Sequence, residues 1–391
     1  MLNKLYTRLE EIYPDIIAIR RDFHMYPELS FKEVRTPQKI AEFHSKLGLE
    51  VRTGVGGRGV VATLRGARPG KTVALRADFD ALPIQDEKDV EYKSKVPGVM
   101  HACGHDAHTA TMLGLAKALS GMRENIQGNI VFIHQFAEEL APGGAISMVE
   151  DGCLDGVDVI FGTHFLANLP TGKIGYREGA IMAAADRFEI EVIGRGGHGA
   201  APHETIDSII IGSQLVNNLQ QIVSRRIDPT KPAVVTVGQF NAGDAFNIIA
   251  EKAKIIGTVR TFDEKIRNNI NQMIEQITAA TCQAYGATYK YTYEYGYPVV
   301  QNNSIETRIL VESAKKVIKE DDLFEIDLRM GGEDFAYYLH KVPGTFFFTG
   351  AGNKEAGVDY PLHHPKFNID EKAMLVAAKV LGTVALDYLQ G

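Results

Sequence analysis

A chain of 391 residues is too long for one ordinary hydrophobic core, so two domains are expected. Its 45% hydrophobic and 23% charged residues are the balance of a folded globular protein, and a net charge of -7 argues against nucleic acid or an anionic membrane surface as partner. No apolar run reads as long enough to span a bilayer. Met1–Ile17 carries charges through its apolar positions and lacks a signal-peptide core, so it reads as an amphipathic helix. Cys103, Cys153 and Cys282 are odd in number and widely spaced, which is no disulfide framework and suits a reducing, cytoplasmic compartment.

Along the chain, short apolar runs end in polar chemistry. Thr72–Leu75 leads into Asp78 and Asp80, Ile130–Ile133 into Glu138 and Glu139, Val159–Phe161 into His164, and Thr345–Phe348 into Gly350. Continuous runs of this length are expected of strands buried on both faces. Helical stretches lie between them, such as His105–Leu119 with Met112, Leu115, Ala116 and Leu119 on one stripe. The pattern predicts an α/β sheet whose ligand cleft lies beyond the carboxyl ends of the strands, where these polar residues converge.

From about Asp186 to Tyr297 the pattern changes. Phe188, Ile190 and Val192 alternate with polar residues, as in a half-exposed strand. A helix over 206–227, strands over 233–240 and 252–262, a helix over 264–285 and a strand over 288–295 follow. The order β-α-β-β-α-β is that of a ferredoxin-like unit. It reads as an insertion, giving a first domain part over 1–183, the inserted unit over 184–297 and a second part over 298–391.

The densest chemical signal is His101–His108, which packs three histidines, a cysteine and an aspartate into eight residues. Cys103 and His105 flank a glycine at the entry to a helix, so both side chains can turn toward one point. Thiolate and imidazole suit Zn²⁺ and neighbouring transition metals. Incidental histidines at a helix cap are the plainer alternative, though such a cluster is costly to bury without a reason. At Glu138-Glu139 the expectation is that two adjacent carboxylates diverge from an extended backbone, one toward a metal and one toward water. A solvated acidic turn would explain that pair if it stood alone. His164 and the pair His363-His364 gain weight only by lying near the same cleft. Two glycine patterns are set aside. Gly54-x-Gly56-x-x-Gly59 runs into a strand rather than a helix, and the strand after Gly194-x-Gly196-x-x-Gly199 ends in Asn241, not in an acid for a ribose hydroxyl.

Arg76-Ala-Asp-Phe-Asp-Ala-Leu-Pro83, His101-Ala-Cys-Gly-His-Asp106, Ala137-Glu-Glu139, Gly196-Gly-His-Gly-Ala-Ala-Pro-His203, Gly257-Thr-Val-Arg-Thr-Phe262 and Gly332-Glu-Asp-Phe335 follow one another in fixed order. In this the chain resembles the aminoacylase/carboxypeptidase-type metallopeptidases, and more narrowly their amidohydrolase subgroup, which includes hippurate hydrolases, N-acetyl-diaminopimelate deacetylases and auxin-conjugate hydrolases. The match runs from Arg20 to near Asp370. It implies a zinc-peptidase-like α/β domain, with a mixed sheet and helices on both faces, carrying an inserted ferredoxin-like α+β dimerisation domain.

The resemblance further implies two divalent ions per subunit, Mn²⁺ or Zn²⁺ with Co²⁺ or Ni²⁺ as alternatives, held by Cys103, His105, Glu139, His164 and His363. In that arrangement Cys103 bridges, and His364 beside His363 leaves the last ligand open. Glu138 is implied as general base and Asp80 as the residue orienting a ligand. His198 is implied as the oxyanion donor, reaching over from the partner subunit of a homodimer, with Asn247 and Arg260 gripping the substrate. The activity expected is hydrolysis of a small N-acyl amino acid. Cleavage of small peptides by the same water attack is the runner-up, and a catalytically silent metal-binding scaffold is the rival that the presence of Glu138 disfavours. The chain departs from the subgroup at Phe136, after His164 and at Ala250, where prolines are usual, which bears on the acyl pocket rather than on the chemistry.

Overall fold

The computed structural model describes Met1–Gly391. The chain begins with α1 (Leu2–Glu11), α2 (Tyr13–Met25), α3 (Arg35–Lys46), β1 (Glu50–Val55), β2 (Gly59–Arg65), β3 (Arg68–Asp78) and α4 (His105–Ser120). It continues through β4 (Gln127–Gln135), α5 (Ala145–Glu150), β5 (Val159–Pro170), β6 (Ile174–Tyr176) and β7 (Gly179–Met182). Next come β8 (Ala184–Ile193), β9 (Gly197–His198), α6 (Ser208–Leu219), β10 (Ala233–Ala242), β11 (Ile248–Ile249), β12 (Lys252–Thr261), α7 (Glu264–Ala284) and β13 (Thr288–Tyr297). The last part holds β14 (Val300–Asn302), α8 (Ser304–Ala314), β15 (Leu323–Glu325), α9 (Ala336–Leu339), β16 (Gly344–Gly352) and α10 (Lys372–Gln390).

Two compact units result. The larger comprises residues 1–181, 300–327 and 334–391, the smaller residues 182–299 and 328–333. Residues 328–333 thus belong with the smaller unit, whereas the sequence pattern places them in the second part of the larger one, 298–391. They join it because the backbone of Arg329 pairs with Met182.

The larger unit is built on an eight-stranded mixed sheet in the order β1-β2-β4-β3-β5-β16-β6-β15. The apolar runs form its centre: β3 lies parallel to β4 and β5, and β5 lies parallel to β16. Register aligns Asp78 with Gln135, so the carboxyl ends of β3 and β4 finish side by side and deliver their polar residues to one place. α4 follows at that end. Small residues dominate it, and Gly114 lets α2 approach so closely that a Cβ there would meet Ile16 Cδ1 at 2.4 Å. The helix α10 corrects the expectation that no segment could span a bilayer. By length and mean hydropathy it could, yet it packs as a core helix against α1, α4, α8 and β3 and buries Val380, Leu381, Val384 and Leu386.

The smaller unit is a four-stranded antiparallel sheet in the order β10-β12-β8-β13. With β8 first, β10 second, β12 third and β13 fourth, this is the ferredoxin-like order. The alternation in β8 is realised, with Phe188, Ile190 and Val192 buried against residues of α6 and α7. The first helix is shorter than expected. It ends at Leu219, and residues 222–226 form a wider turn.

In the larger unit the start of α4 is pinned by buried charge. Arg20 Nε donates to Asp106 Oδ2 at 2.8 Å, His24 Nδ1 lies 2.7 Å from the same oxygen, and Arg20 also reaches Asn368 and Glu371. Arg20→Met leaves the Asp106 carboxylate without its guanidinium, a loss expected to destabilise by about 3–5 kcal/mol. A urea titration reads this as a lowered midpoint, and an unchanged midpoint would contradict it.

Candidate metal centre

Gly104, left-handed at φ 95°, caps α4 and turns the chain so that Cys103 and His105 face the same space from either side of it. Cys103, His105 and His164 are buried, and their ligand atoms lie within 4.8 Å of one another. A second group, Cys103, Glu139 and His363, meets the same distance. Cys103 is common to both. The thiol sulfur lies 3.3 Å from His164 Nε2, and Glu139 Oε1 lies 3.9 Å from His105 Nε2 and 3.4 Å from His363 Nε2.

Each ring is fixed by its other nitrogen. His105 Nδ1 donates to the Asp80 carbonyl at 3.0 Å and to Asp80 Oδ1 at 3.1 Å, which leaves Nε2 facing the cluster. His164 Nδ1 donates to the Phe165 carbonyl at 2.8 Å, with the same consequence. These contacts set the tautomer a metal ligand needs. His108, a cluster histidine with no role in the sequence reading, works one layer out. Its Nδ1 donates to Asp78 Oδ1 at 2.6 Å, and its Nε2 accepts the Phe165 N–H at 3.0 Å, bracing the backbone next to His164. Asp78 is held in turn by Arg76, whose guanidinium also binds Gln135 and Asp334.

The acidic pair departs from expectation. β4 ends at Gln135, and Ala137 takes a left-handed φ of 51°. The two carboxylates therefore do not diverge from an extended strand. Glu138 and Glu139 both reach His105, with all three ligand atoms within 4.8 Å. Asp80 ties this corner together, because its Oδ2 accepts the Glu139 N–H at 3.0 Å and the Ser30 hydroxyl at 2.7 Å.

Of the two adjacent histidines, His363 is the one that faces the Cys103 and Glu139 side chains. His363 lies at φ 64° with its N–H on the Ala102 carbonyl and its ring toward Glu139. His364 instead stacks on Tyr360 at 4.5 Å and accepts the Lys366 N–H.

The electrostatics favour positive charge here. Burial opposes a charged His105, but Asp78, Asp80 and Glu139 outweigh it and raise its pKa to about 10. Burial pushes the Cys103 thiol up, and Glu139 and Glu138 push it further. A thiolate at that point therefore needs a cation beside it. His105 Nε2 and Glu139 Oε1 are buried with no hydrogen-bond partner. Unpartnered imidazole and carboxylate atoms beside the Cys103 sulfur form a donor set that fits divalent transition metals.

The remaining sequence candidates lie in the smaller unit. His198 on β9 pairs with Ile248 on β11, and the Gly199 N–H bonds to the Asn247 carbonyl, so His198 and Asn247 stand together on the surface. The Ala200 N–H donates to His198 Nδ1 at 3.0 Å, which places the proton of the neutral ring on Nε2. Arg260 is not part of that pair. It sits near the far end of β12, donating to the Thr258 hydroxyl and to the Val259 and Met330 carbonyls. Glu33, which no motif in the sequence marks, accepts the Ala137 N–H beside the acidic pair.

Residues 74–387 match the model of Peptidase family M20/M25/M40. The chain is 51% identical over 299 residues to an N-acyl-L-amino acid amidohydrolase of Geobacillus stearothermophilus, covering 75% of this chain and 80% of that one. It is 43% identical over 391 residues to thermostable carboxypeptidase 1 of Saccharolobus solfataricus, covering 99% of each. Among solved structures, the YxeP protein of Bacillus subtilis, a dinuclear metal-binding peptidase of the M20 family, superposes with a TM-score of 0.85 at 35% identity, covering 97% of this chain and 99% of that one.

If Cys103 binds metal, the loaded protein resists alkylation and a chelator exposes one reactive thiol. Cys153 and Cys282 are buried elsewhere and stay silent. Mass mapping after iodoacetamide treatment checks this, and rapid labelling of Cys103 in the loaded protein would refute it.

Proposed function

The chain belongs to peptidase family M20/M25/M40, and we propose that it hydrolyses the amide bond of small N-acyl amino acids with two divalent ions bound around Cys103. The observation that carries this reading is the pair of ligand groups that share Cys103, with Glu138 beside them. Cys103, His105, Glu139, His164 and His363 are the proposed ligands, and Mn²⁺ or Zn²⁺ the proposed ions, with Co²⁺ or Ni²⁺ as alternatives. Such ions supply Lewis-acid polarisation of the scissile carbonyl and make water more acidic.

Glu138 takes a proton from the attacking water and returns it to the departing amine, one carboxyl acting as base and then as acid. Asp80 keeps His105 in the tautomer that frees Nε2. The Nε2–H of His198 is proposed to donate to the oxyanion, since fixed donors gain most where charge develops away from water. Asn247 and Arg260 are proposed to grip the substrate, Arg260 through its carboxylate. The amidohydrolase relative supports an acyl amino acid as substrate. The carboxypeptidase relative supports a second reading, cleavage of small peptides by the same residues. Three free cysteines support the cytoplasm as location.

Glu138→Gln removes basicity while keeping size, so kcat should fall roughly 10²–10⁴-fold with metal content unchanged. Near-normal kcat would reject the mechanism. The assay runs over N-acetyl amino acids, N-benzoyl amino acids and dipeptides with each metal in turn, and faster turnover of dipeptides would reverse the order of the two readings.

A homodimer is proposed through the smaller unit, where β10 is an edge strand and Phe246 and Ile248 are exposed next to His198 and Asn247. If His198 serves the partner's site, mixing the inactive Glu138→Gln and His198→Ala proteins under subunit exchange restores activity. One site of the mixed dimer then carries both lesions and the other neither. No recovery in verified mixed dimers would place His198 in its own subunit's site.

A further inference from the structure

We infer that Glu33 is a positioning residue for Glu138, acting through the left-handed turn at Ala137; this rests on the reading of Glu138 as the general base. At φ 51° the Ala137 Cβ crowds its own backbone, a conformation that side-chain-bearing residues keep only when their surroundings hold it. That turn carries the chain out of β4 and brings Glu138 to His105. Glu33 Oε1 accepts the Ala137 N–H at 3.0 Å, and Glu33 is fully buried.

The segment bearing Glu33 is itself anchored. Phe31 is left-handed at φ 62°, and its ring meets Phe136 edge-on at 5.8 Å. The Ser30 hydroxyl donates to Asp80 Oδ2, the Glu28 carbonyl accepts the Ala81 N–H at 2.8 Å, and Arg58 donates to the Glu33 carbonyl at 2.5 Å. Two strained turns, Phe31 and Ala137, thus brace one another beside the acidic pair. Glu139 has its own tether, its N–H on Asp80. Loss of the Glu33 carboxyl therefore loosens the turn that leads into Glu138, while the Glu139 N–H keeps its own bond to Asp80.

Glu33→Ala should keep its metal content and KM while kcat falls roughly 10–100-fold. Glu33→Gln should stay near wild type, since its amide oxygen still accepts the Ala137 N–H. Burial already pushes the Glu33 carboxyl up to about 7, so a neutral group is a close substitute. In a Glu138→Gln background Glu33→Ala should cost nothing more, because the two act as one unit. Adding Ala137→Gly to Glu33→Ala should restore most of kcat, as glycine adopts the left-handed turn unaided. That double variant also serves where Glu33→Ala folds poorly. Full kcat in Glu33→Ala, loss of metal, an equal fall in both backgrounds, or a double variant that stays impaired would each overturn the assignment. Near-normal turnover in Glu138→Gln alone would instead remove the reading on which it rests, so the two failures are separable.

Discussion

Asp78, Asp80 and Glu138 are buried at the carboxyl ends of two adjacent strands, and carboxylates in such a site stay ionised only if positive charge or donors are built around them. Much of the larger unit answers that demand. Arg76 covers Asp78 and reaches across to Asp334. His108 takes the other oxygen of Asp78, and His105 takes Asp80. At Cys103 and Glu139 the neighbours are the imidazoles of His164, His105 and His363, yet His105 Nε2 and Glu139 Oε1 have no hydrogen-bond partner and the ligand atoms converge. A divalent cation is the species that completes the balance.

The same carboxylates decide which way the imidazoles face. An imidazole offers a lone pair only at the nitrogen without a proton, so a ligand must have its proton claimed on the far side. Asp80 claims it for His105 and the Phe165 carbonyl for His164, while His108 steadies Phe165. Placement of Cys103 just before the first turn of α4 adds the positive end of a helix dipole to a residue that must act as a thiolate. Arg20 and His24 secure that turn through Asp106. These supports converge from segments far apart in the chain, which makes the centre a property of the whole unit.

The smaller unit follows a different rule. Its strands alternate because one face packs on α6 and α7, and its core is independent of the larger sheet. Its functional candidates lie outside that core, His198 and Asn247 exposed and Arg260 half-buried. Arg267, buried against Asp186, serves the fold of this unit by fastening α7 to β8.

Much of this was legible in the residues. Unbroken apolar runs marked the central strands, and alternation marked β8. The spacing of Cys103 and His105 around Gly104 marked the heart of the site. Each of these depends on neighbours a few residues away, and local periodicity and turn chemistry are written locally. What the sequence alone left open or misread depends on partners far along the chain. Adjacent histidines at 363 and 364 are chemically equal until a left-handed turn sends one toward Glu139 and the other onto Tyr360. The apolar length of α10 cannot say whether lipid or protein will cover it; α1, α4, α8 and β3 do. Glu138 and Glu139 look divergent on an extended backbone and converge only because Ala137 is held left-handed by Glu33, a partner 104 positions earlier. No local pattern announces such a contact, because its stability comes from burial and hydrogen bonding that exist only once the sheet has brought the two segments together.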